Sequence, residues 1–371
     1  MKKSTRYSIF VVLLFLIPAL WAIQITSHSE TLDIGPGQMV RVMLTGGDIQ
    51  VTTWDRNSLL LNVVGTREFE PSHLQIDQSG EEIQVRLRNA QRLEMRVSTQ
   101  SSLYLTTGGG NIQIQGPING SVTAKSGGGN LNLGEVTGTV ELSTGGGDLR
   151  IGSVNGDATA RTGGGNITFE SVSGNGEIKT AGGNIEGDSV GQNLEAKTAG
   201  GNISVQRVGG VATVVTAGGN IRVGEVARDA SLKTAGGNIE LQSGSGQVSA
   251  TTRGGNVDFR QVMGSVEIKT AGGNVSAGLI PVEGGSSSIQ SAGGDLTLFI
   301  SPSAQAEIQA RIRRGGPGRP EENDIHSDFP MSEYQKGESN GPITGKVILN
   351  GGGHAVSLTT ADGSILIRRL E

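Results

Sequence analysis

The sequence contains no cysteine, and only 2 Trp, 3 Tyr and 7 Phe occur among its 371 residues. Without cysteine the chain has no disulfide, no thiolate ligand for a metal and no N-terminal cysteine for lipid attachment. So few aromatic residues, together with 61 glycines, are unusual in a compact enzyme domain. These absences favour a repeat architecture.

An excess of positive charge is also lacking, because 30 basic residues face 35 acidic ones and the net charge is −5. No basic field is present that would bind a phosphate backbone, so we expect no nucleic acid partner. The glycine-rich strings lack the G-x-x-x-x-G-K-[ST] pattern and a following helix, so we expect no nucleotide and no cofactor. His28, His73, His326 and His354 are too irregularly spaced to predict a metal site.

The N-terminus indicates export. Lys2, Lys3 and Arg6 precede the apolar run SIFVVLLFLIPALWAI, as in a secretory signal. Residues 1–23 are therefore predicted to be a signal peptide or an N-terminal membrane anchor, since the uncharged stretch 7–25 also approaches the length that spans a bilayer. The predicted location is the periplasm or the cell surface, with membrane anchoring by residues 7–25 left open.

A Gly-Gly pair followed by Asn or Asp recurs at a fixed interval. The residue after the pair stands at positions 111, 130, 148, 166, 184, 202, 220, 238, 256, 274 and 295, in steps of 19, then eight of 18, then 21. A fixed period of this length is the signature of a solenoid.

Within each repeat, apolar residues alternate in two stretches. Counted from the Asn or Asp, they occupy +1, +3, +6, +10 and +12, as at Ile221, Val223 and Val226. This pattern predicts two short strands per repeat, and no helical spacing is present. The predicted fold class is all-β: a single-stranded parallel β-helix, or β-solenoid, with 18 residues in most coils.

The Gly-Gly-Asn strings are interpreted as identical corners. Glycine reaches positive φ without a clash, Asn tolerates the left-handed region, and stacked Asn and Thr side chains should form ladders. We therefore expect Gly200→Val to lower the thermal stability. The predicted structural turn residues are Gly182, Gly183, Asn184, Gly200, Gly201, Asn202, Gly218, Gly219, Asn220, Gly236, Gly237, Asn238, Gly272, Gly273 and Asn274.

Charged residues recur beside the second strand of each repeat. Glutamates stand at +11 and cations at +13, at Glu141, Glu177, Glu195, Glu267, Arg161, Lys179, Lys197, Lys233 and Lys269. Regular repetition favours a solvated face with paired charges over a unique catalytic site. We therefore expect no catalytic residues.

Both ends of the chain depart from the repeat. Residues 28–105 are predicted to form irregular β coils and an N-terminal cap, and residues 106–300 the regular coils. Residues 301–371 should form C-terminal coils interrupted by a Gly/Pro-rich polar loop at 313–342. Arg311, Arg313, Arg314 and Arg319 cluster beside that loop and are a hypothetical anion-binding site; solvated loop charges are the alternative, because Glu321 and Glu322 follow.

Three features of the sequence resemble one family: the early TGGDIQVTTW, the serial T-[AG]-G-G-N-I units, and the ending IHSDFP followed by NGGGHAVSLTTADGSILIRR. They are similar to the DUF4097 family of exported bacterial proteins, which are described as adhesins from their shape. The resemblance implies a right-handed parallel β-helix at the cell envelope and supplies no catalytic residues.

The predicted function is that of a non-enzymatic envelope β-solenoid, an adhesin or scaffold that binds an envelope protein or glycan through repeated flat polar faces. Two alternatives remain open. One is a carbohydrate-active β-helix enzyme of the polysaccharide lyase or glycosidase type. The other is an envelope-stress component held by a membrane anchor.

Overall fold

The computed structural model describes residues 26–65, 70–313, 323–337 and 341–370. The signal or anchor predicted at residues 1–23 lies outside this part of the chain. The described chain divides into two compact units, one ending at Phe169 and the other beginning at Glu170. This boundary falls inside the run of repeats at 106–300.

In the described residues, regular structure consists of strands and one short 3-10 helix, Pro71–His73. The all-β prediction is confirmed. Within the described ranges, no helix is long and apolar enough to cross a membrane. The strands are β1 (Thr26–Asp33), β2 (Met39–Leu44), β3 (Asp48–Trp54), β4 (Ser58–Gly65), β5 (Leu74–Ser79), β6 (Glu82–Leu87), β7 (Arg92–Ser98), β8 (Ser102–Thr107), β9 (Ile112–Gln115), β10 (Val122–Ser126), β11 (Leu131–Leu133), β12 (Val136–Thr137), β13 (Val140–Thr144), β14 (Leu149–Asn155), β15 (Ala158–Thr162), β16 (Ile167–Val172), β17 (Gly176–Thr180), β18 (Ile185–Val190), β19 (Leu194–Lys197), β20 (Ile203–Val208), β21 (Ala212–Val215), β22 (Ile221–Val226), β23 (Ala230–Lys233), β24 (Ile239–Thr251), β25 (Val257–Thr270), β26 (Val275–Pro281), β27 (Ser286–Ser291), β28 (Leu296–Ile300), β29 (Ala306–Ile312), β30 (Ile325–Ser327), β31 (Glu333–Lys336), β32 (Ile343–Leu349), β33 (His354–Thr360) and β34 (Ile365–Arg369).

In the regular coils of the second unit, strands pair in parallel with their equivalents one repeat away. Ile203 lies beside Ile221, and Ile221 beside Ile239, so the register advances by one repeat per strand. The second strands of successive coils pair in the same way, as Ala212 does with Ala230. The repeat in the sequence therefore corresponds to one coil of a parallel β-solenoid.

The interior of each coil is a thin layer of aliphatic side chains. Ile203, Val205, Val208, Ala212 and Val214 are at most 1% exposed, and the residues between the members of each strand face outward. Because like residues stack on like in parallel register, each interior position forms a column along the unit.

The N-terminal end of the first unit is closed by a change in strand order. The coil of β2 and β3 is first in the sequence but second in space, because β2 lies between β6 and β8, and β3 between β7 and β9. Antiparallel strands cover the outer coil: β5 pairs with β6, β4 pairs with β7, and β1 pairs with β4.

The C-terminal end of the second unit is closed in a similar way, except that the inserted coil is the last in the sequence and not the first. The last coil, β33 and β34, lies between the β27–β28 coil and the outer strands β29 and β30. Strand β32 covers β29 in antiparallel orientation, and β31 covers β32. In both units a terminal coil is thus inserted between two others.

Candidate functional site

The predicted turn residues lie in the bends that lead from the second strand of one coil to the first strand of the next. Their glycines serve a different purpose from the one expected. Gly200, Gly201, Gly218 and Gly219 do not have φ in the left-handed region, and the Asn after each pair does not either. The expectation of a positive-φ corner was therefore wrong.

Close stacking of the backbone explains the second glycine of each pair. A Cβ on Gly201 would lie 2.8 Å from the Asn184 nitrogen and closer still to the Gly183 carbonyl, whereas a Cβ on Gly200 would meet only the Gly182 oxygen at 3.4 Å. The first glycine thus has room for a side chain, and the expected sensitivity of Gly200 was misplaced by one residue. Gly219, Gly237, Gly255 and Gly273 repeat the tight contact.

A buried threonine links each corner to the coil before it. The Thr198 hydroxyl donates to the Gly183 carbonyl at 2.8 Å and accepts from the Gly201 amide at 3.2 Å. The same two bonds recur at Thr216 and Thr234. The inward-facing hydroxyl therefore satisfies two backbone groups that the bend leaves without sheet partners.

The Asn residues form a second ladder at the outer side of the corner. The Asn184 side-chain oxygen accepts from the Asn202 amide at 2.8 Å, and Asn202 does the same for Asn220. Only an acceptor is needed, which explains why Asp replaces Asn in the repeat: Asp148 accepts from Asn166 at 2.7 Å, and Asp295 from Ser364 at 2.7 Å.

A corresponding ladder stands at the opposite corner, nine residues later, and sequence reasoning missed it. Asn193 accepts from the Val211 amide at 2.9 Å, and Asp229 from the Gln247 amide at 2.8 Å. The signal was present in the sequence, since Asp157, Asn175, Asn193 and Asp229 lie at multiples of 18 residues.

The repeated charges lie on the outward face and pair along and across strands, as their spacing suggested. Lys179 contacts Glu177 at 2.6 Å and Glu195 at 3.1 Å, and Lys197 also contacts Glu195. Hydrogen bonds from Lys197 and then Lys179 lower the pKa of Glu195, and the bond to Glu177 raises the pKa of Lys179. Each charge is thus largely compensated by its neighbours.

One histidine has an internal structural role. His354 is fully buried, and its Nδ1 lies 2.9 Å from the Val282 carbonyl, which can only accept. In a neutral imidazole one nitrogen donates and the other accepts, so Nε2 then accepts from the Ser287 hydroxyl at 2.8 Å. The same hydroxyl accepts from the Val266 amide at 3.0 Å. The His354–Ser287 pair anchors the three extra residues of the longest repeat, the 21-residue step between Asn274 and Asp295. In the described part of the chain, no group of three or more His, Asp or Glu side chains could hold a metal.

Of the four arginines in the hypothetical anion site, the described ranges contain two. Arg311 points outward from β29 beside Thr359 and Thr344, and Arg313 follows the end of that strand. Both are exposed, and neither lines the second-unit groove described below. Arg314 and Arg319 lie outside the described residues, so the cluster stays a prediction.

Two shallow grooves mark the outward faces. In the second unit, a groove of about 340 Å³ has Ser286, Ser288 and Ser357 as its floor and Glu267 and Glu307 at its sides. Lys269 lowers the pKa of Glu267, and hydrogen bonds from Gln309 and then Lys346 lower the pKa of Glu307.

In the first unit, a groove of about 470 Å³ lies where β3 and β7 meet the antiparallel strands β4 and β1. Its lining includes Ser29, Gln50, Thr52, Asn62 and Arg96. A smaller groove of about 240 Å³ shares Gln50 and continues over Gln113 and Asn132.

Stacked coils with glycine corners, aliphatic columns and solvent-facing polar ladders define a parallel β-solenoid protein. The family model "Toastrack DUF4097" matches residues 21–210 and again residues 187–368. The chain therefore belongs to the Toastrack DUF4097 family.

Solved structures with low sequence identity are similar to the chain. A "putative cell adhesion protein" from Clostridium sporogenes is 8% identical, with 93% of this chain and 100% of that chain covered and a TM-score of 0.18. A "putative adhesin" from Parabacteroides distasonis is 10% identical, with 74% and 93% covered and a TM-score of 0.28. Another "putative adhesin", from Bacteroides fragilis, is 10% identical, with 93% and 97% covered and a TM-score of 0.20. A comparison with curated proteins finds no match.

Proposed function

We propose that this protein is a non-enzymatic, exported solenoid of the bacterial envelope, which acts as an adhesin or scaffold and binds an envelope protein or glycan. One observation carries the proposal. Polar side chains occupy most outward positions of successive coils in register: Glu177 and Lys179 lie beside Glu195 and Lys197, which lie beside Thr213 and Val215. Such rows provide a flat, extended surface in which contacts act collectively.

The carboxylates of the second-unit groove support binding rather than hydrolysis. A glycosidase needs one carboxylic acid with a raised pKa that can donate a proton to the leaving group. Glu267 and Glu307 have lowered pKa values, because Lys269 and Lys346 stabilise their ionised forms. They are suited to accepting hydrogen bonds from a ligand.

A combined binding and cleavage assay tests the proposal. The purified protein is applied to an array of neutral and acidic glycans and of envelope proteins, and the same glycans are assayed for newly formed reducing or unsaturated ends. We expect binding without cleavage. Lys197→Ala should change affinity by no more than about fivefold, because exposed ion pairs contribute only about 0–1 kcal/mol.

Two results would contradict the proposal. Absence of binding to every glycan and envelope protein would remove the adhesin and scaffold roles. Cleavage that is lost in Glu267→Gln or Glu307→Gln would assign the groove to a carbohydrate-active enzyme instead.

A further inference from the structure

The first unit carries a row of uncharged amide side chains that the second unit does not have. Gln50 on β3 lies beside Gln113 on β9, and Gln113 lies beside Asn132 on β11. We call the outward surface formed by Gln50, Gln113, Asn132 and Arg96 the amide face. Adjacent strands are about 4.8 Å apart, so the three amides follow one another at that interval.

The amide face is continuous with a groove. Gln50 lines both the larger groove, together with Ser29, Thr52, Glu94 and Arg96, and the smaller one, together with Asp48, Gln113 and Asn132. Glu94 lies beside Gln50 in the sheet and is itself engaged by Arg92 and Asn62. The larger groove forms because β4 and β1 extend the sheet beyond the stacked coils in antiparallel orientation. A ligand that enters beside Arg96 can therefore extend across the strands over the amides.

Arg96 is one of several outward-facing cations in the described residues that have no ion pair, and it is the one that lines the larger groove of the first unit. Its neighbour Arg92 contacts Glu94 at 3.3 Å, and Glu94 also accepts from Asn62 at 3.1 Å. In the second unit, Arg222 contacts Glu240 at 2.8 Å. Within the described ranges Arg96 makes no ion pair, although it lies between Leu60 and Thr52 in the sheet. Its guanidinium is free to receive a carboxylate in bidentate geometry.

We propose that the amide face binds an acidic glycan, with a uronic acid carboxylate on Arg96 and sugar hydroxyls on Gln50, Gln113 and Asn132. The inference depends on the proposed function and names the ligand class for one surface. An amide both donates and accepts, as a sugar hydroxyl does, so an amide row matches a chain of hydroxyls. An acidic peptide of equal charge lacks the hydroxyls that match the amide row. Arg150, beside Asn132, is a further cation along the row.

Binding measurements with defined oligomers test the inference. The full chain is titrated with an oligogalacturonate, with a neutral cello-oligosaccharide of equal length and with an oligoglutamate peptide of equal charge. We expect the uronate oligomer to bind most tightly. Arg96→Ala should weaken it about tenfold, and Arg96→Lys should restore only part of the loss, because lysine lacks the planar fork. Gln113→Ala should weaken it about threefold, the loss of one ordinary hydrogen bond.

Arg86→Ala is the matched control. Arg86 is exposed on the adjacent strand β6 but belongs to the other outward face, where it donates to Gln84 at 3.1 Å. It should leave uronate binding unchanged. Circular dichroism of each variant checks that the fold is retained.

Three results would overturn the inference: equal affinity for the peptide, equal affinity for the neutral oligomer, or uronate binding that does not respond to Arg96→Ala. In each case the protein still binds a ligand, so the proposed adhesin or scaffold role would survive. Failure to bind any glycan or envelope protein would instead remove the proposed function itself.

Discussion

Adding one methyl group at the second glycine of a corner should disrupt the contact between coils. In Gly219→Ala the new Cβ would lie 2.8 Å from the Asn202 nitrogen and closer to the Gly201 carbonyl, whereas ordinary contacts are about 3.5–4.0 Å. The two coils must therefore separate at this corner. Three hydrogen bonds are formed there: Thr216 to the Gly201 carbonyl at 2.8 Å, the Gly219 amide to Thr216 at 3.2 Å, and the Asn220 amide to Asn202 at 2.8 Å.

The expected loss follows from those bonds. At about 1 kcal/mol each they contribute about 3 kcal/mol, and the lower entropy of an unfolded chain with alanine returns about 0.4–1 kcal/mol. Gly219→Ala should thus reduce the free energy of unfolding by about 2 kcal/mol. Gly218→Ala is the matched control, since its Cβ would approach no atom of the neighbouring coil more closely than the Gly200 oxygen at 3.4 Å, an ordinary contact. It should be neutral or stabilise by up to about 1 kcal/mol.

Urea unfolding followed by circular dichroism, with hydrogen exchange at the corner amides, measures both variants. Because each coil contacts only its neighbours, faster exchange should be confined to the coils next to residue 219. The stacking argument is refuted if Gly219→Ala unfolds at the wild-type urea concentration, or if Gly218→Ala loses as much stability as Gly219→Ala.

Three further variants test the internal polar groups and the charged rows. Thr216→Val leaves two buried backbone groups unpaired and should cost about 1–3 kcal/mol in urea unfolding, whereas Thr216→Ser should retain most of the stability; equal losses would argue against the hydroxyl bridge. His354→Phe removes the acceptor for Ser287 and the donor to Val282, and the melting temperature should fall by several degrees; an unchanged value would contradict its anchoring role. Hydrogen bonds from Lys197 and then Lys179 lower the pKa of Glu195 from 4.5. The ion pairs of Glu195 therefore stabilise the fold at pH values above 4.5, and this stabilisation is lost as the pH falls through the lowered pKa. Glu195→Gln should reduce stability by less than about 1 kcal/mol at pH 7 and have no effect at pH 2, and an equal effect at both pH values would exclude the ion pairs as its cause.

Much of the fold followed from the sequence because the repeat is periodic at two levels. Alternation within the strands predicted which residues are buried, and the 18-residue step predicted which residues stack, as Ile203 and Ile221 do. The conformation of the corner did not follow, because glycine is compatible both with positive φ and with close backbone contact. Only the coordinates show that the second requirement applies at Gly201 and Gly219.

The ends of the chain and the amide face were not predictable in the same way. A coil inserted between two others leaves no periodic signal, because its neighbours in space are distant in the sequence. The groove beside Arg96 combines residues from β1, β3, β4 and β7, which are brought together by antiparallel pairing after the repeat has been interrupted. The local cluster of arginines near residue 313 was visible in the sequence, and its two described members, Arg311 and Arg313, lie outside the second-unit groove of Ser288 and Ser357.

The inserted terminal coils have a mechanical consequence. Strand β33 is hydrogen-bonded to β27 on one side and β29 on the other, and β34 to β28 and β30. A force applied to the C-terminus therefore cannot peel the final strand from an open edge one bond at a time. It must break two ladders together.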